Sequence, residues 1–304
     1  MLAFLKLIRY KNLLIIILVQ WLIKYGLFES LGVATTLDYL HFVLLVLATV
    51  FIAAGGYIIN DIYDVDIDKI NKPEKVIINK KISESTAYNL YLIFTFLGVL
   101  TGFYLSNHIG TPGFAALFIL SAALLYMYAT FIKSILLVAT LVISILVTLS
   151  LIIIGVFELV PAIDYLNQAI QLEAFSILIY YSFFAFILTF IREIVKDIED
   201  INGDKNGGRQ TLPIVIGRKR TAIVCFVLAI ASIALILMYM YEFLYRTPWV
   251  MLYFLIAVIG PLLYFVTKIF TAETKQEFQH LSVILKIVMV LGLLSLLFYK
   301  FNLL

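Results

Sequence analysis

Two short stretches of the 304-residue sequence carry matched sets of aspartates, each with the spacing i, i+3 and i+7. The members are Asp61, Asp64 and Asp68 in the first set and Asp197, Asp200 and Asp204 in the second. On a helix these positions share one face, where like charges repel one another. Such a row is expected where a cation neutralises it, and Mg²⁺ in proteins binds carboxylates together with substrate phosphates. The pattern predicts two Mg²⁺ ions on opposite walls of one cavity, with a diphosphate bridging them.

A basic segment follows each acidic set. The segments are Asn71-Lys72-Pro73-Glu74-Lys75 and Gly207-Gly208-Arg209-Gln210-Thr211-Leu212-Pro213. Their Lys and Arg side chains are suited to neutralise a leaving diphosphate, because negative charge builds up there when an allylic C–O bond breaks. Anchoring at lipid headgroups is the alternative role for a basic residue, and we prefer it for four of them: Lys80, Lys81, Lys219 and Arg220.

The acidic sets have two alternative interpretations that do not involve a Mg²⁺–diphosphate site. A single acidic run at a membrane surface is more often a solvated helix end, and it is the repetition of the spacing that favours a site. A Ca²⁺-binding loop fits less well, because the alternating ligands and the closing bidentate Glu of an EF-hand are absent. Asp66 and Glu199 fall off the shared rows. Their removal is therefore expected to have milder effects than removal of Asp64 or Asp200.

The composition places these sets in a membrane protein. Apolar residues make up 63% of the chain and charged residues 13%, whereas about 25% of the residues in a soluble domain are charged. This nearly excludes a water-soluble α/β enzyme, a disordered chain and a nucleic-acid-binding domain. The one cysteine, Cys225, excludes a disulfide within the chain and a Cys-based metal site.

A membrane-spanning helix needs about 20 mostly apolar residues. Nine stretches meet this requirement: 12–31, 40–60, 86–106, 111–130, 134–157, 173–193, 221–243, 248–268 and 281–299. All of the 22 basic residues except Lys24, Arg246 and Lys300 fall on one side of these spans. Because Lys and Arg concentrate in cytoplasmic loops, the N-terminus and both acidic sets are predicted to be cytoplasmic. We therefore predict an all-α, polytopic integral protein of the cell (inner) membrane, with one domain over 1–304.

The two motifs resemble those of the UbiA-type membrane prenyltransferases. The stretch Asn60-Asp61-x-x-Asp64-x-x-x-Asp68, with Asn71-Lys72-Pro73, is similar to the first motif of that family. Its second motif is similar to Asp197-x-x-Asp200-x-x-x-Asp204, with Gly208-Arg209-Gln210-Thr211-Leu212-Pro213. The resemblance covers nearly the whole chain and implies a bundle of nine helices, with the motifs after spans two and six. It also implies transfer of a polyprenyl group from its diphosphate to an acceptor in the bilayer.

The resemblance implies a role for each candidate site residue. The implied Mg²⁺ ligands are Asn60, Asp61, Asp64, Asp68, Asp197, Asp200 and Asp204. The residues expected to act on the reacting diphosphate are Asp64, Asp68, Asp200, Asp204 and Lys133. The residues expected to bind substrate are Arg9, Asn12, Lys72, Tyr128, Lys133, Arg192, Lys196 and Arg209. The expected partners are a polyprenyl diphosphate, a membrane-resident acceptor and the lipid bilayer, with no nucleic acid.

The acceptor is harder to assign than the donor. The segment Arg192-Glu193-Ile194-Val195-Lys196-Asp197-Ile198-Glu199-Asp200 is similar to the second-motif region of geranylgeranylglyceryl phosphate geranylgeranyltransferases, whose acceptor alcohol carries a phosphate. The segment Asn60-Asp61-Ile62-Tyr63-Asp64 also resembles that subgroup. That phosphate would be contacted by Arg192, Lys196 or Lys72. An aromatic acid of quinone biosynthesis, 4-hydroxybenzoate or dihydroxynaphthoate, is the alternative acceptor. Remoter alternatives are an ion-coupled transporter, whose charged groups lie near the bilayer midplane, and a structural or assembly protein.

Several charged residues outside the motifs are assigned no chemistry. Lys24 lies inside span one, where its long side chain can extend to a surface. The histidines show no metal-ligand spacing: His41, His108 and His280. The last cytoplasmic loop is predicted to be a solvated face at four residues: Glu273, Lys275, Glu277 and His280.

Overall fold

The computed structural model describes residues 2–301, and these form helices and connecting loops without a β-strand. Nine segments of that part of the chain are long and apolar enough to cross a membrane. They are Tyr10–Phe28, Tyr39–Tyr63, Glu84–His108, Pro112–Thr130, Val138–Ala162, Gln168–Asn206, Arg218–Phe243, Pro248–Lys268 and Lys275–Lys300. The predicted all-α fold with nine spans is confirmed, and the chain is an integral membrane protein.

Three of the spans contain irregular turns. Span one ends in a π-helical turn at Leu22–Phe28, and span eight contains another at Phe254–Ile259. Span nine is interrupted between the helices Lys275–Leu294 and Leu297–Lys300. Short α-helices outside the spans lie at Leu2–Leu7, Val65–Asn71 and Leu212–Ile216. The helix Val65–Asn71 carries Asp68 of the first acidic set, and the helix Leu212–Ile216 begins at the end of the second basic segment, so both help to place those segments.

Span six is much longer than the sequence predicts. It runs without interruption over Gln168–Asn206, 39 residues, whereas the apolar stretch ends near residue 193. At 1.5 Å per residue the helix is about 58 Å long, about twice the thickness of the hydrocarbon core of a bilayer. The helix continues past its charged residues because Ile194, Val195 and Ile198 remain buried against neighbouring helices. The second acidic set therefore lies on a rigid extension of a membrane span.

Small residues bring span two close to its neighbours. A Cβ atom on Gly55 would lie 2.8 Å from Oγ1 of Thr95 in span three, and one on Gly56 would lie 2.8 Å from a δ-carbon of Leu125 in span four. Side chains larger than hydrogen would therefore force these helices apart. This packing fixes the end of span two, where the first acidic set begins.

A buried ion pair joins spans one and five at the end of the bundle opposite the acidic sets. The ammonium of Lys24 lies 2.6 Å from Oε1 of Glu158 and donates to the carbonyl of Leu37, also at 2.6 Å. The other carboxylate oxygen of Glu158 accepts from the Leu37 backbone N–H at 3.0 Å. Glu158 is fully buried and Lys24 is 7% exposed. The sequence predicts that Lys24 extends to a surface, and in the structure it is instead neutralised inside the protein.

We expect the Lys24→Ala variant to be destabilised by about 3–5 kcal/mol, because an unpaired buried carboxylate remains at Glu158. The measurement is the midpoint of heat-induced loss of monodisperse protein in detergent. The matched control is Lys81→Ala, since Lys81 is exposed and its removal leaves no buried charge. A Lys24→Ala protein as heat-resistant as the Lys81→Ala protein would show that the pair contributes no stability.

Candidate active site

The first acidic set follows a kink at the end of span two. Asp64 has φ −97° and ψ 1° and separates the helix ending at Tyr63 from the helix Val65–Asn71. Hydrogen bonds of helical spacing nevertheless continue through the kink, from the Asp64 N–H to the Asn60 carbonyl at 3.0 Å and from the Asp68 N–H to the Asp64 carbonyl at 2.7 Å. Asn60, Asp64 and Asp68 therefore form a continuous row at steps of four.

The second acidic set is held against the first by the side chain of Asn71. Its Nδ2 donates to the carbonyl of Asp200 at 3.0 Å, and its Oδ1 accepts from the backbone N–H of Gly203 at 2.9 Å. The side-chain amide of Asn71 thus makes two hydrogen bonds to the backbone of span six, one as donor and one as acceptor. The contact brings the segment after span two alongside the extension of span six.

Arg209 joins the two acidic sets directly. Its guanidinium donates to the Asp64 carboxylate and to Oδ1 of Asp204, the latter at 3.0 Å. The loop that carries Arg209 is fixed by its own backbone N–H, which donates to the Asp204 carbonyl at 2.9 Å. The next residue, Gln210, donates its N–H to the Ser134 carbonyl at 3.2 Å. The two sets consequently face one shared site.

Lys133 and Lys72 complete a ring of cations around these carboxylates. The Lys133 ammonium lies 2.6 Å from Oδ1 of Asp64, and the Lys72 ammonium lies 2.6 Å from Oδ2 of Asp200. Glu199 is buried and lies 3.7 Å from Lys72. Glu199 and Asp66 both lie off the acidic rows, but their surroundings differ. Glu199 is buried beside Lys72, whereas the side chain of Asp66 is 93% exposed.

Lys275 also reaches the site, which the sequence does not predict. Its ammonium lies 3.7 Å from Oδ1 of Asp200 and donates to the carbonyl of Asn71. Lys275 begins span nine, in the loop that the sequence assigns to a solvated face. Lys275 lies 75 residues after Asp200 in the sequence, so no local motif connects the two residues. The packing of span nine on span six brings them together.

The remaining predicted substrate residues lie beside the site or deeper in the bundle. Arg9 pairs with Asp61 at 2.8 Å, and Tyr128 lies near enough to Asp64 and Glu193 to feel their charges. Asn12 and Arg192 lie farther along spans one and six, and Lys196 lies next to Asp197 and pairs with Glu193 at 2.8 Å.

Burial shifts the pKa values of two ionisable groups that line the site, Asp68 and Lys133. Burial, together with the nearby charges of Asp64 and Asp61, raises the pKa of Asp68 to about 6. Burial also lowers the pKa of Lys133, although the Asp64 carboxylate opposes the shift. Like charges held together with little water favour binding of a compensating ion.

The sequence profile of the UbiA prenyltransferase family matches residues 17–301. The chain belongs to the UbiA prenyltransferase family. It is therefore a prenyltransferase, and neither a transporter nor a purely structural protein. A similar protein is the digeranylgeranylglyceryl phosphate synthase of Methanobrevibacter smithii, which is 35% identical over 201 residues, 66% of this chain and 67% of that protein.

Solved structures of UbiA proteins share the fold. One, from a study of the biosynthesis of digeranylgeranylglyceryl phosphate synthase in membranes, has a TM-score of 0.60 and 24% identity, and the match covers 97% of this chain and 98% of the other. A UbiA homolog from Archaeoglobus fulgidus bound to DMAPP and Mg²⁺ has a TM-score of 0.56 and 16% identity, over 97% of this chain and 99% of that one. The nine-helix bundle is therefore that of the UbiA prenyltransferases.

The donor set of the site fits Mg²⁺ by its chemistry. Among residues 2–301, no three His, Cys, Asp or Glu side chains converge closely enough to hold a metal ion on their own, and Lys133 and Arg209 neutralise Asp64. The Oδ1 atom of Asp200, however, is buried without a hydrogen-bond partner among the described residues. A hard carboxylate oxygen in that state suits Mg²⁺, which takes few protein ligands and completes its shell with water and phosphate oxygens.

We expect Gly203→Ala to lower the rate of prenyl transfer about 10- to 100-fold, the equivalent of a 1–3 kcal/mol overpacking penalty. A Cβ atom at Gly203 would lie 2.4 Å from Nδ2 of Asn71, so Asn71 must move and release span six. The measurement is initial rate with membrane-inserted protein. Gly113→Ala is the control, because nothing lies within 4 Å of the position that its Cβ would take. Equal rates for the two variants would contradict a role for the Asn71 contact.

Proposed function

We propose that this prenyltransferase transfers a geranylgeranyl group from geranylgeranyl diphosphate to geranylgeranylglyceryl phosphate. The observation that carries the proposal is the contact of Arg209 with Asp64 and Asp204, which places two acidic rows and their cations around one site. The name of the Methanobrevibacter smithii relative and the segment from Arg192 to Asp200 support this acceptor.

The acidic rows are the proposed binding site for two Mg²⁺ ions. One row would supply Asn60, Asp64 and Asp68, with Asp61 nearby, and the other would supply Asp197, Asp200 and Asp204. When bound, Mg²⁺ would act as a Lewis acid on the departing diphosphate oxygens. The positive charge of Lys, Arg and metal together would match the charge of the diphosphate.

The cations of the site bind and orient the diphosphate in this proposal. Lys133 and Arg209 flank Asp64, and Lys72 flanks Asp200, so all three reach a diphosphate that lies between the rows. Arg209 presents a planar fork that contacts two oxygens at once, whereas each Lys acts as a point charge. Fixed cations stabilise the leaving group without the reorganisation that water requires.

The reaction exchanges one C–O bond for another. The bond between the allylic carbon and the diphosphate breaks, and the diphosphate keeps the electron pair. The acceptor hydroxyl oxygen then bonds to that carbon and releases its proton. The apolar walls of the spans exclude water, so that the acceptor captures the allylic cation before water does.

The site is proposed to open on the cytoplasmic side of the cell membrane. The loops that carry the acidic sets also carry most of the basic residues of the chain, and such loops remain in the cytoplasm. The projecting end of span six provides access to the water-soluble diphosphate headgroup.

A parallel acceptor assay tests the proposed function. Purified protein with Mg²⁺ and labelled geranylgeranyl diphosphate is offered geranylgeranylglyceryl phosphate, 4-hydroxybenzoate or dihydroxynaphthoate. We expect labelled product with the glyceryl phosphate acceptor and release of diphosphate in equal amount. Product only with an aromatic acid would assign the chain to quinone biosynthesis instead.

A further inference from the structure

Four cations form a second group beside the acidic rows, and two of them, Arg192 and Lys286, lie deeper in the bundle than those rows. The group, termed the Lys286 cluster, consists of Lys11, Arg192, Lys196 and Lys286. On span six, Arg192 lies about 12 Å from Asp200 along the helix axis, at 1.5 Å per residue. The Nε atom of Arg192 donates to the Ser282 carbonyl of span nine at 3.3 Å. Spans one, six and nine therefore meet at this cluster.

The Lys286 cluster has more positive charge than the protein neutralises. Glu193 is its carboxylate, and it pairs with both Arg192 at 3.1 Å and Lys196 at 2.8 Å. The ammonium of Lys286 instead donates to an uncharged amide oxygen, Oδ1 of Asn12, at 2.6 Å. Among residues 2–301, no carboxylate lies within ion-pair distance of Lys286. Half-buried positive charge is costly without an anion.

An apolar cavity lies directly below the cluster on the membrane side. Span six contributes Leu188, one turn before Arg192, and span nine contributes Met289, about one turn after Lys286. The two helices run in opposite directions, so both residues lie deeper in the bundle than the cations. Further lining residues are Tyr181, Phe184, Tyr239 and Phe254. A cationic rim over an apolar cavity matches an anionic headgroup that carries a hydrocarbon chain.

We propose that Lys286, together with Arg192 and Lys196, binds the phosphate of the prenyl acceptor, with the hydrocarbon chain of that acceptor directed towards the apolar side chains below. The inference rests on the proposed function. The glyceryl backbone has three carbons, so the phosphate cannot be far from the hydroxyl that is alkylated. The Lys286 cluster therefore lies next to the acidic rows and would hold the acceptor phosphate, while the rows and their cations would hold the donor diphosphate. Lys286 acts as a determinant of specificity for phosphorylated acceptors.

Steady-state kinetics of the Lys286→Ala variant test this assignment. We expect its KM for geranylgeranylglyceryl phosphate to rise about 10- to 100-fold, the usual value of a charge-assisted hydrogen bond, with no change in KM for geranylgeranyl diphosphate. Lys286→Arg keeps the charge and should restore most of the affinity. The unphosphorylated alcohol, geranylgeranylglycerol, should be an equally poor acceptor for the wild-type protein and for Lys286→Ala. Lys219→Ala, at an exposed basic position, is the matched control.

Other outcomes would overturn the assignment. An unchanged KM for the phosphorylated acceptor, or an equal loss with both alcohols, would show that Lys286 does not contact the phosphate. An effect of Lys286→Ala that appears only in vesicles of anionic lipid would assign the cluster to a phospholipid headgroup. Wild-type protein that does not use geranylgeranylglyceryl phosphate at all would refute the proposed function, and this outcome is distinct because it precedes any comparison of variants.

Discussion

Asp64→Ala and Asp200→Ala are each expected to lower prenyl transfer on the order of 10³-fold or more, because each removes a proposed Mg²⁺ ligand beside the proposed diphosphate site. Asp64 also holds Lys133 and Arg209, so its loss releases two cations at once. Asp200 carries the buried oxygen without a hydrogen-bond partner among the described residues. The measurement is initial rate of transfer from labelled geranylgeranyl diphosphate at saturating Mg²⁺.

Asp66→Ala is the matched control for these two variants. Asp66 lies in the same segment as Asp64 but is exposed and pairs only with Lys69 at 2.8 Å. It should retain near wild-type activity, since an exposed ion pair contributes little. If Asp66→Ala were as damaging as Asp64→Ala, the assignment of the helix faces would be wrong. Substantial activity in Asp64→Ala or Asp200→Ala would contradict the arrangement with two metal ions.

Arg209→Ala is expected to reduce kcat/KM for the diphosphate substrate about 10²- to 10³-fold, the loss typical of one preorganised electrostatic contact. Arg209 is the side chain that contacts both Asp64 and Asp204, so its removal also lets two carboxylate rows repel each other. Arg209→Lys keeps the charge but loses the planar fork, and we expect an intermediate rate. The measurement is kcat and KM with the donor varied.

Arg220→Ala provides the comparison for Arg209. Arg220 is exposed and is predicted to anchor at lipid headgroups. Its removal should leave both kinetic constants close to those of the wild-type protein. Wild-type kcat/KM in Arg209→Ala would mean that the contact between the acidic rows is not required for binding the diphosphate.

The sequence predicts the features that depend on local pattern. The nine apolar stretches are enough to predict the nine spans. The spacing of Asp61, Asp64 and Asp68 recurs in the second set, and this repetition predicts two matching rows. The length of span six is not predicted, because Ile194 and Ile198 stay buried only through contact with other helices. A hydropathy window responds to the charges between them and ends the span too early.

The cations that complete the site depend on packing between distant segments. Lys275 and Lys286 lie in and after the last loop, and nothing in their spacing distinguishes them from residues that anchor a span at the membrane surface. Only the packing of span nine against span six brings Lys275 near Asp200 and Lys286 near Arg192. The burial of Glu199 is not predicted for the same reason. Its position in the sequence does not reveal that it lies near Lys72, which belongs to a distant segment.

The bridging contact of Arg209 has a consequence for biogenesis. During translation the ribosome produces Asp64 long before Arg209, so in the newly made first half of the protein Asp64 has Lys133 but not yet Arg209 as a partner. The charge balance of this region is completed when the segment after span six emerges. A chain that ends before that segment lacks the guanidinium that links Asp64 to Asp204, so its two acidic sets repel each other instead of packing together.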